Sequence, residues 1–207
     1  MSVTITSAVD FYERHPISAE IIKAKVLATR GSLDGLSPED LFPHDQDHYG
    51  GLAANEGIAA DARLAPGMQV ADFCAGLGGP ARYYAHRYGV RVTGIELTPA
   101  RVTGAAELNR LTGMQDRVEV VAGDVMAPPL ADQSQDAVLS QEAFLHVPDV
   151  PKTVAEAYRI LKPGGRLVFT TWTAPQPLSE PDRKLMWDGM AVQKIYTLDQ
   201  QCEMLRG

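Results

Sequence analysis

The chain contains little cysteine, no run of basic residues and no long apolar segment, and each absence excludes a class of protein. Only two cysteines, Cys74 and Cys202, occur in 207 residues, which excludes a disulfide framework and favours a reducing compartment. The 19 lysines and arginines are scattered and the formal net charge is −7, so a nucleic-acid partner is not expected. No apolar segment approaches the length of a membrane span, so no membrane partner is expected either.

Signals for export and for metal binding are missing from the sequence as well. The first residues lack the charged and apolar regions of a signal peptide, and we therefore expect a soluble cytoplasmic protein. No metal site is expected, because the five histidines show no ligand spacing: His15, His44, His48, His86 and His146. A length of 207 residues with 45% hydrophobic residues predicts one globular domain with a short N-terminal extension.

The strongest positive signal is the segment 70–80, a buried strand that runs into a glycine-rich turn. The strand ends at Asp72, and three glycines follow it: Gly76, Gly78 and Gly79. Glycine lets backbone N–H groups approach a ligand where a Cβ would collide, and a helix N-terminus favours a negative ligand group. Twenty residues after Gly76, Glu96 closes the next apolar run, where it can accept hydrogen bonds from a ribose diol. This order of elements predicts a nucleoside-binding βαβ unit.

The glycine spacing alone also fits a dinucleotide site, but acids at further strand ends favour a different ligand. Asp72 lies four residues ahead of Gly76, where a ligand ammonium group rather than a pyrophosphate would bind a carboxylate. Asp124 follows the third predicted strand and could accept a hydrogen bond from an adenine amino group. The segment 161–166 then makes a tight turn into another strand. Chance would not place acids at three successive strand ends.

In order and spacing these motifs resemble those of the class I S-adenosylmethionine-dependent methyltransferases, over about residues 45–175. The resemblance implies a Rossmann-like fold and S-adenosyl-L-methionine as cofactor. Within that family, the segments 45–51, 75–81 and 140–146 look like the sarcosine/dimethylglycine and related small-molecule methyltransferases. The resemblance therefore implies a small-molecule acceptor, with N- or O-methylation expected ahead of C-methylation.

The resemblance and the positions of the strand ends together imply a set of cofactor-binding residues. These are Gln46, His48, Tyr49, Asp72, Cys74, Ala75, Gly76, Gly78, Gly79, Glu96, Leu97, Asp124, Val125 and Gln141. Gln46 is expected near the methionine part, and Tyr49 is expected to offer an aromatic face to the sulfonium. Cys74 is expected to contribute by its small size, since nothing nearby in sequence suggests thiolate activation.

His146 is the candidate catalytic residue. It lies six residues beyond Ser140, at the carboxyl end of the fourth predicted strand, where open α/β sheets bind ligands. Its usual pKa suits a proton acceptor at neutral pH, but it could equally line the acceptor pocket or pack against the loop. Glu142 is either an acceptor-side group or a solvated acid that caps a helix.

Two other functions stay open at this point. A nicotinamide-dependent oxidoreductase could use the same glycine turn, and a cofactor-binding protein could lack a complete acceptor site. Titration with S-adenosylhomocysteine and with NAD separates the methyltransferase from the oxidoreductase. A methyl-transfer assay separates it from the binding protein.

Strands alternating with helices predict a doubly wound, mainly parallel α/β sheet. The predicted strands are 68–73, 91–97, 118–122, 135–140 and 166–172, and the main predicted helices are 8–30, 52–64, 79–88, 99–112 and 151–161. Three regions are expected: an N-terminal helical extension with a cofactor-covering loop (1–51), a cofactor-binding core (52–175) and a C-terminal helical segment (176–207).

The C-terminal part departs from the family. The resemblance implies seven strands, but only five are predicted, followed by a helix over about 181–194 and a second helix that starts near Thr197 and is capped by Gly207. The last strand would then be an uncovered edge, which tends to recruit a partner strand. We expect either a piece of a longer product or a homodimer that pairs through residues 167–171.

Overall fold

The computed structural model describes residues 5–206 and is built on one five-stranded sheet. Its strands are β1 (Gln69–Phe73), β2 (Arg91–Glu96), β3 (Val118–Ala122), β4 (Gln135–Gln141) and β5 (Leu161–Thr170). The order is β3-β2-β1-β4-β5, and every neighbouring pair is parallel. The chain order reverses between β1 and β4, so a crevice forms at the carboxyl ends of these strands. The predicted doubly wound parallel fold is confirmed.

Helices cover both faces of this sheet. They are α1 (Ala8–Glu13), α2 (Ala19–Arg30), α3 (Gly51–Ala62), α4 (Gly79–Tyr88), α5 (Pro99–Leu111), α6 (Val150–Ile160), α7 (Glu180–Met190) and α8 (Leu198–Arg206). Along β1, Val70 packs into the core under α3 and α4, whereas its neighbour Ala71 packs into the core under α6. This alternation follows from the two-residue period of a strand. The strand ends consequently present their last side chains at one edge of a rigid sheet.

The prediction of one continuous helix over residues 8–30 is wrong, because the segment forms two helices. Pro16 lies in the break, and proline removes a backbone donor and restricts the residue before it. Ser18 then caps α2 by accepting the N–H of Ile21 at 3.3 Å. The predicted helix end at Gly31 is confirmed, since Gly31 is the left-handed C-cap of α2. The break turns α1 away from α2 and lets it reach the crevice.

The C-terminal part contains two elements that the sequence did not predict. β6 (Thr173–Ala174) and β7 (Tyr196–Thr197) form a two-residue parallel pair, separate from the main sheet. α8 packs beside α6, and the side-chain amide of Gln201 donates to the carbonyl of Trp172 at 3.2 Å. The helix predicted over about 181–194 ends earlier, at Met190, because Ala191 adopts a left-handed backbone. The predicted cap Gly207 lies outside the described residues.

Across residues 5–206, none of the helices combines the length and the apolar character needed to cross a membrane.

Candidate active site

A cavity of about 1180 Å³, counted to its open mouth, lies at the carboxyl ends of β1, β2, β3 and β4. Twelve of the predicted site residues line it: His48, Asp72, Cys74, Ala75, Gly76, Gly79, Glu96, Leu97, Asp124, Val125, Gln141 and His146. Residues far apart in sequence are thus brought to one wall by the parallel strands.

The structure does not place three of the predicted residues on this wall, namely Gln46, Tyr49 and Gly78. The carboxamide of Gln46 is used within the protein, because its Oε1 accepts from Asn55 Nδ2 at 2.7 Å. Tyr49 is 72% exposed, and its ring lies 6.3 Å from that of Trp172. Gly78 is the left-handed N-cap of α4. Contact of these three residues with a cofactor stays a prediction.

Glu96 holds the glycine turn in place. Its Oε2 accepts the backbone N–H of Gly76 at 2.9 Å, and its Oε1 accepts that of Thr98 at 2.8 Å. The Gly76 N–H is thus bonded to Glu96, although the sequence suggested that it would approach a ligand. Glu96 is 7% exposed and lines the cavity. Each carboxylate oxygen keeps a further lone pair that a ligand hydroxyl can use.

Gly79 is required by a close approach of the N-terminal segment rather than by a ligand. A Cβ on Gly79 would lie 1.9 Å from the backbone carbonyl oxygen of Asp45. Asp45 itself is anchored by Arg82, whose Nη2 lies 3.0 Å from Asp45 Oδ2, and both side chains are fully buried. Arg82 also donates to Asn109 Oδ1 at 2.8 Å. This buried pair fixes the segment that covers the cavity.

Three buried polar atoms lack a hydrogen-bond partner within residues 5–206, and all three belong to residues of the cavity wall: Asp72 Oδ2, Gln141 Oε1 and Arg101 Nε. Leaving such an atom unpaired costs about 1–3 kcal/mol. Burial, with the nearby charge of Glu96, raises the pKa of Asp72 to about 7. A ligand that offers hydrogen-bond donors would satisfy the two oxygens.

The side chain of Gln141 is oriented by its neighbours. Its Nε2 donates to Asn55 Oδ1 at 2.7 Å and to the phenol oxygen of Tyr84 at 2.6 Å, which leaves Oε1 as the unpaired atom. Ser140, one residue earlier, donates its hydroxyl to the carbonyl of Phe73 at 2.9 Å and so ties the ends of β4 and β1 together. The position of the unpaired oxygen is thus fixed before a ligand arrives.

The far end of the wall is formed by the loop after β3. Asp124 Oδ1 accepts the N–H of Met126 at 2.8 Å, so one carboxylate oxygen shapes the local turn. Val125 is buried and Leu97 is 54% exposed, and both line the cavity. An apolar surface with an acid beside it suits a flat heterocycle that carries an amino group.

Cys74 occupies a left-handed backbone position, with φ of 60°, which is uncommon for a residue other than glycine. It lines the cavity among carboxylates. Burial raises the pKa of its thiol, and the negative charges of Glu96, Asp72 and Asp124 raise it further. This environment disfavours a thiolate.

His146 forms a hydrogen-bonded pair with Tyr12 of α1. His146 Nδ1 lies 3.2 Å from the carbonyl of Ala191, which can only accept, so Nδ1 carries the proton. Nε2 then accepts the hydroxyl of Tyr12 at 2.9 Å. Burial lowers the pKa of His146 and raises that of Tyr12, so both groups are neutral at pH 7. Nε2 is therefore the basic atom of the pair.

Sequence analysis missed Tyr12 and Arg101, which both line the cavity. The guanidinium of Arg101 lies 4.3 Å from the ring centre of Tyr12 and also contacts Asp47, with Nη2 3.1 Å from Oδ2. No pattern marks Tyr12, because its position depends on the break after α1. Arg101 could have been found, since it lies in the first turn of the helix that begins just after Glu96.

Glu142 lies on the cavity wall with a left-handed backbone, φ 50°. Its Oε1 accepts the N–H of Tyr49 at 3.2 Å, and its own N–H donates to the carbonyl of Thr170 at 2.9 Å. Neither of its two predicted roles is excluded by this position.

Among the residues that the structure describes, no three His, Cys, Asp or Glu side chains are placed to hold a metal ion.

Comparisons with known proteins give the class. Residues 71–169 match a family model described as a methyltransferase domain. A sarcosine/dimethylglycine N-methyltransferase of Halorhodospira halochloris is 38% identical over 108 residues, covering 52% of this chain and 39% of that protein. A sterol 24-C-methyltransferase of Gibberella zeae is 38% identical over 126 residues, covering 61% of this chain and 31% of that protein.

A solved structure agrees with this match. A putative sarcosine dimethylglycine methyltransferase from Galdieria sulphuraria superposes with a TM-score of 0.71 and 26% identity, over 91% of this chain and 72% of that chain. Residues 71–169 thus match a methyltransferase domain, and the relatives support the class I S-adenosylmethionine-dependent type that the motifs predicted. It spans only about a third of the length of the two curated relatives.

Proposed function

We propose that the chain is an S-adenosylmethionine-dependent methyltransferase that acts on a small molecule. The observation that carries the proposal is the unpaired Asp72 Oδ2 at the carboxyl end of β1, in the same wall as Gln141 Oε1. An ammonium group would satisfy both oxygens, and the methionine end of the cofactor carries one. Glu96 would accept from the ribose hydroxyls, and Asp124 from the adenine amino group.

When bound, S-adenosylmethionine supplies an activated methyl group, so the protein mainly has to align the acceptor and exclude water. The residues that cover the cavity suit this task. Tyr12 of α1 and Asp47 of the segment before α3 both lie on the wall, and the buried pair of Asp45 with Arg82 holds the segment before α3 against α4.

His146 would act as the proton acceptor. Its Nε2 already accepts a hydrogen bond from Tyr12, so an acceptor hydroxyl or ammonium group that displaces Tyr12 would present its proton to the same atom. The lowered pKa keeps the imidazole neutral, as a base requires. A base at this point suits an acceptor that loses a proton, which hydroxyl, ammonium and carbon acceptors all do. The preference for N- or O-methylation therefore rests on the resemblance to the sarcosine/dimethylglycine N-methyltransferases.

A dinucleotide ligand is less compatible with this geometry. A pyrophosphate in a nucleotide-binding fold lies at the N-terminus of the helix after β1. In this chain the Asp45 carbonyl lies against Gly79, the first residue of that helix. The carbonyl oxygen of Asp45, itself a hydrogen-bond acceptor, thus lies where a phosphate would bind, which argues against the nicotinamide-dependent oxidoreductase.

The test is a methyl-transfer assay with S-adenosylmethionine and a panel of amines, phenols and sugars, in which S-adenosylhomocysteine is measured as product. We expect S-adenosylhomocysteine to form only when an acceptor is present, with at least one of the three classes of acceptor. Cofactor binding without transfer to any acceptor would instead favour a binding protein with an incomplete acceptor site. Failure to bind the cofactor at all would contradict the whole assignment.

We also propose that two copies of the chain pair through β5. β5 is an edge strand of the main sheet, and within residues 5–206 it pairs in that sheet with β4 alone. Light scattering of the purified chain tests the pairing, and a charged substitution of the exposed residue at the end of the strand, Thr170→Lys, should weaken it. A monomer at high protein concentration would contradict this proposal.

A further inference from the structure

We propose that Arg101 forms a carboxylate-binding subsite in the cavity and that it takes the carboxylate of the cofactor's methionine end. This inference rests on the proposed function, because it assigns a residue to the same ligand. Arg101 lies in α5 and is 7% exposed. It belongs to the cavity wall, and its Nε has no hydrogen-bond partner in the part of the chain that the structure describes.

The position of the guanidinium places it on the cofactor side of the cavity. Its Nη1 lies 3.0 Å from the point that a Cβ on Gly76 would occupy, so the group lies directly against the glycine turn. Gly76 in turn is bonded to Glu96, the predicted ribose ligand. Arg101 also lies over the ring of Tyr12, which is bonded to His146, so the guanidinium stands between the glycine turn and the base. Its direct contact with the turn favours the cofactor.

The neighbours of Arg101 hold it in one orientation. Nη2 lies 3.1 Å from Asp47 Oδ2 and 3.2 Å from His15 Nδ1. His15 Nδ1 also accepts the N–H of Ile17 at 3.3 Å, so it is the acceptor nitrogen of a neutral ring. The ring of Tyr12 lies 4.3 Å from the guanidinium carbon. These contacts use Nη2 and leave Nη1 and the buried Nε–H free to donate to a ligand.

The unpaired acceptor and the unpaired donor together match an α-amino acid group. Asp72 Oδ2 is an acceptor and Arg101 Nε is a donor, and both residues line the same cavity. An α-amino acid end carries an ammonium group for the first and a carboxylate for the second. Ribose and adenine carry no carboxylate, and arginine is the side chain best suited to bind one.

The test compares two ligands by calorimetry: S-adenosylhomocysteine, and S-adenosyl-3-thiopropylamine, which is the same molecule without its carboxylate. The parent chain should bind the first about tenfold or more tightly than the second. Arg101→Met should weaken binding of S-adenosylhomocysteine by about tenfold to a hundredfold, and that of the amine by less than about twofold.

Two further variants control for charge and folding. Arg110→Met removes an exposed arginine from the same helix, and it should leave both affinities unchanged. Arg101→Lys keeps the charge but not the Nε donor, and it should give an intermediate loss for S-adenosylhomocysteine alone. Circular dichroism shows whether each variant is folded.

Equal weakening of both ligands by Arg101→Met would overturn the inference, because Arg101 would then act on the shape of the glycine turn. No weakening of either ligand would overturn it as well, and so would a parent chain that does not distinguish the two ligands. None of these three results affects the proposed function. A parent chain that binds neither ligand would contradict the proposed function itself.

Discussion

The cavity has a floor and a cover. The floor consists of the strand-end residues Asp72, Glu96, Asp124 and Gln141, and the cover consists of Tyr12, Asp45, Asp47 and His48 from the N-terminal part of the chain. The two differ in how their polar groups are satisfied. In the floor, at the ends of β1 and β4, Asp72 Oδ2 and Gln141 Oε1 have no partner within residues 5–206. In the cover, Tyr12 is bonded to His146, Asp45 to Arg82 and Asp47 to Arg101. The floor is thus complete only with a ligand, whereas the cover is held by pairs within the protein.

This difference separates two kinds of positioning. The floor takes its shape from strand ends and from the glycine turn, so its polar atoms stay in place without a ligand and at a cost in stability. The cover takes its shape from contacts between distant side chains, which a ligand can replace. We therefore expect changes in the floor to affect mainly cofactor affinity, and changes in the cover to affect stability or turnover.

The largest effect is expected for Glu96→Ala in the floor. If Glu96 binds the ribose as proposed, the variant loses two charge-assisted hydrogen bonds, at about 1.5–3 kcal/mol each, and it also releases the turn at Gly76. Binding of S-adenosylhomocysteine should weaken by several kcal/mol in calorimetry. The matched control is Glu119→Ala, an exposed acid on the neighbouring β3, which should bind as the parent does. If Glu96→Ala bound S-adenosylhomocysteine as tightly as the parent, the assignment of Glu96 as a cofactor ligand would be wrong.

In the cover, Arg82→Met should be the most destabilising change. It leaves the buried carboxylate of Asp45 without its partner, which typically costs about 3–5 kcal/mol. Urea unfolding measures the loss. Arg87→Met, which removes a surface arginine from the same helix, should cost less than about 1 kcal/mol. Equal stability of the two variants would show that the buried pair does not anchor the cover.

His146→Ala should slow methyl transfer by about a hundredfold or more, with nearly unchanged affinity for S-adenosylhomocysteine. Burial lowers the pKa of His146 below the usual range of a histidine, so the imidazole of the parent is neutral and basic at pH 7. The parent rate should fall only at more acidic pH, and the variant should lack that dependence. His86→Ala, on the surface of α4, is the control. A full rate for His146→Ala would leave only a packing or pocket-lining role.

The smallest effect is expected for Tyr12→Phe. The lost hydrogen bond to His146 Nε2 should reduce the free energy of unfolding by about 1 kcal/mol. That bond stabilises the neutral imidazole, so its loss should raise the pKa of His146 in an NMR titration. Tyr158→Phe changes a tyrosine that is 83% exposed and should do neither. An unchanged pKa of His146 in Tyr12→Phe would show that Tyr12 does not stabilise the neutral imidazole.

The same comparison explains what could be predicted from the sequence. Asp72, Glu96, Asp124 and Gln141 follow apolar runs of strand length, and parallel strands bring their carboxyl ends to one edge. Local patterns therefore determine most of the floor. The five strands and the parallel order were predictable for the same reason.

The cover could not be predicted in this way, because its side chains are placed by distant contacts. In the irregular segment before α3, Asp45 and His48 reach the cavity, whereas Gln46 turns to Asn55 and Tyr49 to solvent. No periodicity distinguishes these positions. The boundaries 1–51, 52–175 and 176–207 stay predictions, although the pair of Asp45 and Arg82 ties the first region to the second.

The central claim is that the unpaired carboxylate of Asp72 receives the ammonium group of S-adenosylmethionine. Burial raises the pKa of Asp72 to about 7, so the unliganded side chain is largely protonated below that pH and must lose its proton to bind an ammonium group. Affinity for the ligand should therefore fall as the pH falls through about 7, by about tenfold for each unit below it. Asp72→Asn removes the titrating group and should remove this dependence.

The direct test is calorimetric titration with S-adenosylhomocysteine at about pH 8 and about pH 6, with NAD as the comparison ligand. We expect S-adenosylhomocysteine to bind at both, about tenfold more tightly at the higher pH, and NAD not to bind. Binding of S-adenosylhomocysteine with the same affinity at both pH values, or binding of NAD in its place, would contradict the account.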